Sequence, residues 1–225
     1  MQKNYNTELV LFDLDGTLID TAPDFHSSLN KILKNNGYDQ IELETLRTYV
    51  SEGSSELIKF AFKIDESDSD FLKIKTEFLE EYRANLTYLS KPFDGISDVL
   101  EFLFSNDIPY GIVTNKPHNF AEPLINSFDL FQNSQILICP DDVSKSKPDP
   151  EGILMACKKL NVLPKNTIYL GDHKNDLKAG VSAGTNFIGC LYGYSLNEND
   201  SAINVSSPIE ICLLYTSDAA DDLLC

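Results

Sequence analysis

The chain has 225 residues, 42% of them hydrophobic, which suits a globular protein of one large domain or of a core with a smaller companion. Its formal charge of -17 repels nucleic acid and anionic membrane surfaces alike, so neither is expected as a partner. No apolar run reaches the roughly 18 residues of a membrane-spanning helix, and Met1-Gln2-Lys3-Asn4 leads into polar residues rather than a secretory signal, so a cytoplasmic setting is expected.

The first predicted element is a strand. Leu9-Val10-Leu11-Phe12 is an unbroken apolar run, the pattern of a strand buried on both faces, and it stops at Asp13, with Asp15 two positions on and Gly16 supplying a turn. Two carboxylates at the end of a buried strand repel each other and resist burial, so they call for a cation or a shared proton. Thr21-Ala22-Pro23-Asp24 reads as the cap and opening of a helix, with Pro23 near its first turn. Helical spacing then continues to about Leu89, through Leu29, Ile32 and Leu33, Leu57, Ile58 and Phe62, and Phe71, Leu72, Phe78 and Tyr82. Inside that stretch Val50-Ser51-Glu52-Gly53-Ser54-Ser55-Glu56 reads as a helix connection in which Gly53 allows a tight turn and the serines offer caps. Arg47, close by, is either a solvated cation or a contact for an anionic group.

Phe93-Asp94-Gly95 marks a return from the helical stretch, followed by a helix with Val99, Leu100, Phe102 and Leu103. Tyr110-Gly111-Ile112-Val113 is a second apolar strand, ending in the hydroxyl, amide and ammonium of Thr114, Asn115 and Lys116, and Thr114 sits where a strand tip can present a donor to an anion. Residues 135–139 form a third predicted strand, and Ser146-Lys147-Pro148-Asp149-Pro150 precedes a helix with Ile153, Leu154, Ala156 and Leu160. Thr167-Ile168-Tyr169-Leu170-Gly171 repeats the opening logic, a buried strand ending on Asp172 with Asp176 four residues later. A small-residue helix near 178–183, a strand over 186–190 and a last strand over 203–205 complete the alternation, which implies a mostly parallel, doubly wound sheet. The five cysteines, Cys139, Cys157, Cys190, Cys212 and Cys225, lack a Cys-x-x-Cys spacing and read as reduced thiols.

Asp13-Leu14-Asp15-Gly16-Thr17 after an apolar strand resembles the signature of the haloacid dehalogenase-like hydrolases, a superfamily of mostly Mg²⁺-dependent phosphatases. Val113-Thr114-Asn115-Lys116-Pro117, Lys147-Pro148 and Gly171-Asp172 with Asp176 resemble its second, third and fourth motifs in the expected order. The resemblance implies an α/β Rossmann-like core from residues 1–20 and 90–211, with a small α-helical cap domain, residues 21–89, inserted after the first strand over the carboxylates. It implies that Asp13 attacks phosphorus to give an aspartyl phosphate while Asp15 protonates the leaving alcohol and later activates water. Thr114, Asn115 and Lys147 would bind the phosphate, and Gly53 and Arg47 would bear on substrate choice. Mg²⁺ would be held by Asp13, the backbone carbonyl of Asp15, Asp172 and Asp176; His173 is left out, since hard Mg²⁺ prefers oxygen.

The strings Asp20-Thr21-Ala22-Pro23-Asp24-Phe25, Leu137-Ile138-Cys139-Pro140-Asp141 and Ser146-Lys147-Pro148-Asp149-Pro150-Glu151 resemble phosphoglycolate phosphatases and, more closely, the N-acetylmuramic acid 6-phosphate phosphatase branch. A small phosphorylated metabolite is the expected partner of a monomer or homodimer. A phosphosugar mutase shares the nucleophile and the acid/base pair and stays open as an alternative; a non-enzymatic phospho-receiver would be shorter, uncapped and without Asp-x-Asp-Gly-Thr. Residues 212–225 depart from everything before them and resemble the translation of a sequencing-library adapter, so this tail is expected to be non-native.

Overall fold

A computed structural model describes residues 7–216. The chain divides into two compact units, one running up to Leu18 and again from Pro92 on, the other covering Ile19–Lys91.

The first unit is an α/β sandwich around one sheet. Strand β1 (Leu9–Phe12) is fully buried, as four apolar residues without alternation require when both faces are covered. The short strands β2 (Ile19–Asp20) and β3 (Lys91–Pro92) pair with each other, apart from the main sheet. The main sheet adds β4 (Tyr110–Val113), β5 (Leu137–Ile138), β6 (Thr167–Gly171), β7 (Asn186–Cys190) and β8 (Asn204–Val205) in the order β5-β4-β1-β6-β7-β8. Every neighbouring pair runs parallel. The chain therefore starts at the centre, builds outward to one edge, then restarts on the other side of β1; the crevice at such a reversal, beyond the carboxyl ends of the strands, is where open α/β sheets bind ligands. Register brings the strand ends close. Phe12 stands opposite both Ile112 and Leu170, so Asp13 leaves the sheet level with Val113 and Gly171, one residue before Thr114 and Asp172.

Helices α5 (Ile96–Ser105), α6 (His118–Asn126), α7 (Glu151–Lys159), α8 (Lys174–Ala183) and α9 (Glu210–Thr216) belong to this unit. On one face Leu9, Leu11 and Tyr169 pack with Ile153 and Ala156 of α7 and Ala179 of α8. Each large apolar side chain so buried contributes roughly 1.5–3 kcal/mol.

The second unit is helical: α1 (Ala22–Asn35), α2 (Leu43–Val50), α3 (Ser54–Phe62) and α4 (Phe71–Ala84). Leu29, Leu33, Leu46, Leu57, Phe62 and Phe78 fill its interior, and Phe25 stacks on Tyr82 with ring centroids 4.0 Å apart. Leu72, counted above with the apolar stripe, is instead 71% exposed, because it follows Phe71 directly and neighbours on a helix face in different directions.

Several local expectations are corrected. Thr21 precedes α1 without a side-chain cap, and Asp24 does not cap it either. Fully buried, the Asp24 carboxylate instead accepts from the backbone N–H of Leu89 at 2.8 Å and of Ser90 at 2.8 Å, and from Ser90 Oγ at 2.5 Å, pinning the returning chain to α1. The serines at 51–55 do not cap α3. Gly53 does, with φ +93, a conformation that costs any other residue strain, and Ser55 Oγ accepts from Lys75 Nζ at 2.7 Å. The third strand is shorter than its apolar run, since at Cys139 the chain turns into a 3-10 turn, Pro140–Asp142, whose Asp142 carboxylate caps the Cys139 N–H. The last strand likewise begins at Asn204 rather than 203. Among the described residues no helix is long and apolar enough to cross a membrane. Of the suspected tail, 212–216 complete α9 and 217–225 lie outside the described residues.

Candidate active site

Two strand ends and one helix start converge on one charge cluster. Asp13 follows β1, Asp172 follows β6, and Asp176 occupies the first turn of α8; all three are buried, with carboxylate oxygens within 4.8 Å of one another. The local sequence fixes each of them. Asp176 accepts the His173 N–H at 3.1 Å in a reciprocal cap of α8 in which the His173 ring accepts from the Asn175 N–H, so His173 serves the helix start. Asp172 Oδ2 accepts the Tyr194 N–H at 2.8 Å, and Thr17 Oγ1 lies 3.4 Å from Oδ1. Gly16, at φ +83, lies against that carboxylate, and a Cβ there would run into it.

Lys147 is the ammonium inside this cluster. Its Nζ stands 2.6 Å from Asp13 Oδ1 and 2.6 Å from Asp176 Oδ1, with the Val113 carbonyl at 3.0 Å and the Tyr169 hydroxyl at 2.9 Å. Three N–H protons are thus shared among four acceptors, and Tyr169 in turn donates to Asp176 Oδ1 at 2.8 Å. Lys147 does not balance three acids. Burial pushes the Asp13 carboxyl up to about 7, opposed by Lys147 and reinforced by Asp176. Burial, then the charges of Asp13 and Asp176, holds Asp172 well above the usual carboxylate range. For Lys147 burial works against the charge, yet the Asp13 and Asp176 carboxylates outweigh it and raise the group. An excess of buried, oxygen-only donors fits a hard divalent cation such as Mg²⁺.

Asp15 stands outside that trio. Its Oδ1 pairs with Lys116 Nζ at 2.9 Å, and the Lys116 side chain is only 4% exposed. Lys116 was not among the site residues expected from sequence. The signal was visible, an ammonium three residues beyond an apolar strand, but a loop lysine is ordinarily solvated. Thr114 is buried at the tip of β4, where its Oγ1 accepts the Lys116 N–H at 3.1 Å. Asn115 brackets the backbone of Lys147, its Nδ2 donating to the Lys147 carbonyl at 2.9 Å and its Oδ1 accepting the Lys147 N–H at 3.1 Å. Its amide positions the loop that delivers Lys147.

Arg47 and Gly53 lie in the helical unit. The Arg47 guanidinium forks onto Asp20 at 2.7 and 2.8 Å, with Glu44 at 3.4 Å, an ordered bidentate pair rather than a solvated cation. Gly53 is exposed at the start of α3.

Comparison with known proteins gives a consistent picture. The family model described as Haloacid dehalogenase-like hydrolase matches residues 10–190. An N-acetylmuramic acid 6-phosphate phosphatase of Pseudomonas putida is 37% identical over 207 residues, covering 90% of this chain and 93% of its own. A phosphoglycolate phosphatase of Xanthomonas campestris pv. campestris is 36% identical over 192 residues, covering 85% and 86%. Among structures, a predicted phosphoglycolate phosphatase from Haemophilus somnus superposes with a TM-score of 0.85 at 26% identity, over 94% of this chain and 99% of that one. A beta-phosphoglucomutase from Thermotoga maritima gives 0.74 at 25% identity, over 97% and 100%.

Proposed function

The chain belongs to the haloacid dehalogenase-like hydrolases, and we propose that it is a Mg²⁺-dependent phosphatase of small phosphomonoesters that works through an aspartyl phosphate on Asp13. Homology to named phosphatases makes it a phosphoric monoester hydrolase. The observation that carries the mechanism is Asp13 itself, a buried carboxylate at the central strand's end, 2.6 Å from Lys147. One Asp13 oxygen attacks phosphorus as the bond to the ester oxygen breaks. Asp15 gives its proton to the departing alkoxide, then takes one from the water that attacks the acyl phosphate, restoring both carboxyl groups. Thr114 and Lys147 hold the phosphoryl oxygens, and Asn115 acts through the Lys147 backbone. Asp13, Asp172 and Asp176, with the Asp15 carbonyl, would hold Mg²⁺, which supplies positive charge against the phosphate dianion.

Two esters are candidates, N-acetylmuramic acid 6-phosphate and 2-phosphoglycolate, supported by the relatives named for each. We assign the choice between them to the helical unit acting as a cap, residues 21–89, with Gly53 and Arg47 as contributors. A cytoplasmic setting goes with this reading. Phosphate release from both esters, measured side by side with Mg²⁺ and with EDTA, tests it: a preference of at least tenfold for one ester and loss of turnover with EDTA are expected. Exchange of residues 50–56 for a relative's should shift the kcat/KM ratio more than the Mg²⁺ dependence. Full activity in EDTA would overturn the metal assignment, and no release from either ester would overturn the substrate class. The likeness to the beta-phosphoglucomutase supports transfer between sugar hydroxyls as a second reading, which appearance of an isomeric sugar phosphate in place of free phosphate would establish.

A further inference from the structure

A second set of metal-ligating side chains shares no residue with the carboxylate cluster. His118 opens α6, Cys139 follows β5 and Asp142 closes the 3-10 turn; one ligand atom from each lies within 4.8 Å of the others. His118 Nε2 is 2.7 Å from Asp142 Oδ2, and on the far side of the ring Nδ1 is 3.1 Å from Glu122 Oε1, one turn along α6. The backbone is tied on both sides. The Cys139 N–H donates to Asp142 Oδ2 at 2.8 Å, and the His118 N–H donates to Asp141 Oδ2 at 3.0 Å. Cys139 is fully buried, while the His118 and Asp142 side chains are 30% and 28% exposed, so an ion has a way in.

We propose that His118, Cys139 and Asp142 form a binding site for a borderline divalent cation of the zinc class, separate from the Mg²⁺ site and independent of the phosphatase reading. The donor set decides the class. The Cys139 side chain accepts the Asp142 N–H in the reciprocal cap of the 3-10 turn, which aims its sulfur at the same point as the His118 nitrogen and the Asp142 oxygen, and nitrogen, sulfur and oxygen together match Zn²⁺ and mismatch Mg²⁺, which takes oxygen. The other ring nitrogen, Nδ1, is buried without a hydrogen-bond partner 3.1 Å from Glu122 Oε1, so a small ring rotation on metal binding would seat it on that carboxylate, the arrangement that fixes the tautomer and orients a ligating nitrogen. Three protein ligands leave a fourth tetrahedral position for water or an exogenous group. On binding, the Cys139 S–H bond breaks, a sulfur–metal bond forms and the proton leaves to solvent. The site closes the loop that carries Lys116, two residues before His118, and so lies one short segment from the partner of Asp15.

The test uses the full chain in excess Mg²⁺, which keeps the carboxylate cluster occupied, with Co²⁺ as an optical stand-in for Zn²⁺. One equivalent of Co²⁺ should produce thiolate-to-cobalt charge-transfer absorption that Zn²⁺ abolishes by competition. Cys139→Ser should remove the band, His118→Ala should weaken Co²⁺ binding at least tenfold, and Glu122→Gln should weaken it about tenfold. Thermal unfolding of each variant checks that it folds; the partly exposed His118 keeps the test decisive if the buried Cys139 variant does not. Absence of the band in the parent protein, its persistence in folded Cys139→Ser, or unchanged affinity in His118→Ala would overturn the proposal.

Discussion

Asp24 and Asp172 are both fully buried carboxylates, yet one is finished and the other is not. Asp24 receives three donors, two backbone N–H groups and a hydroxyl, all from the adjoining Leu89–Ser90 segment of its own unit. Asp172 has one N–H at 2.8 Å and a hydroxyl at 3.4 Å, and two further carboxylates within 4.8 Å. Burial of an acid therefore does not by itself mark a site. A shortage of donors together with crowding by like charge does, because the unbalanced charge is stable only with a cation or a proton.

Substitution should separate the two kinds of acid most sharply at Asp13. Asp13→Asn removes the nucleophile and is expected to lower turnover by about three orders of magnitude or more. In EDTA the same change relieves repulsion among the three carboxylates, so the variant should melt no lower than the parent. Asp24→Ala should behave in the opposite way. It leaves the buried Ser90 N–H and hydroxyl and the part-buried Leu89 N–H without their acceptor, at roughly 1–3 kcal/mol for each buried donor, which for a chain of this size lowers Tm by roughly 5–15 °C. Turnover per folded molecule should stay within a few fold of the parent. A large loss of Tm in Asp13→Asn with EDTA, or a Tm unchanged in Asp24→Ala, would erase the distinction.

The site was largely legible in the sequence because its anchors are written locally. Four apolar residues that stop on Asp13, and the run Ile168-Tyr169-Leu170-Gly171 that stops on Asp172, declare buried strands ending in charge, and the strand–helix alternation leads to the parallel sheet. What sequence hid depends on partners far along the chain. Lys116 is buried against Asp15, 101 residues away. Asp24 carries the pattern of a helix cap, and only folding brings in Ser90, 66 residues later. Leu72 shows the complementary limit, since an apolar pair such as Phe71-Leu72 does not say which member faces inward.

Titration sharpens the same contrast. Asp13 has a pKa of about 7 when folded against 3.8 for the ordinary side chain, so between those values the folded chain holds more protons than the unfolded one. Stability from this group accordingly falls as pH rises from about 4 to 7, the reverse of a salt-bridged surface acid. Lys147, raised above its ordinary value, stays charged throughout that window and contributes no slope there. Melting in EDTA should therefore lose Tm across this range, Mg²⁺ should restore more of it at pH 7 than at pH 5, and Asp13→Asn should flatten the trend. An equal Mg²⁺ effect at both values would show that the carboxylates do not carry the charge excess assigned to them.

The smallest effect is expected where burial thins at the end of the described residues. Ile211 of α9 is fully buried, whereas Leu213 and Leu214 just beyond it are 61% and 38% exposed. If side-chain burial decides, a chain ending at Cys212 should keep its kcat/KM and change in stability by no more than about 0.5 kcal/mol, as surface changes do. That amounts to a Tm shift of roughly 2 °C or less. Ile211→Ala, one residue inside that boundary, should cost about 2–5 kcal/mol through lost transfer energy and a cavity. Calorimetry on the two variants side by side measures the step. A truncated chain that loses as much as Ile211→Ala would show that the residues past Cys212 pack as part of the fold, and the expectation of a foreign tail would fall with it.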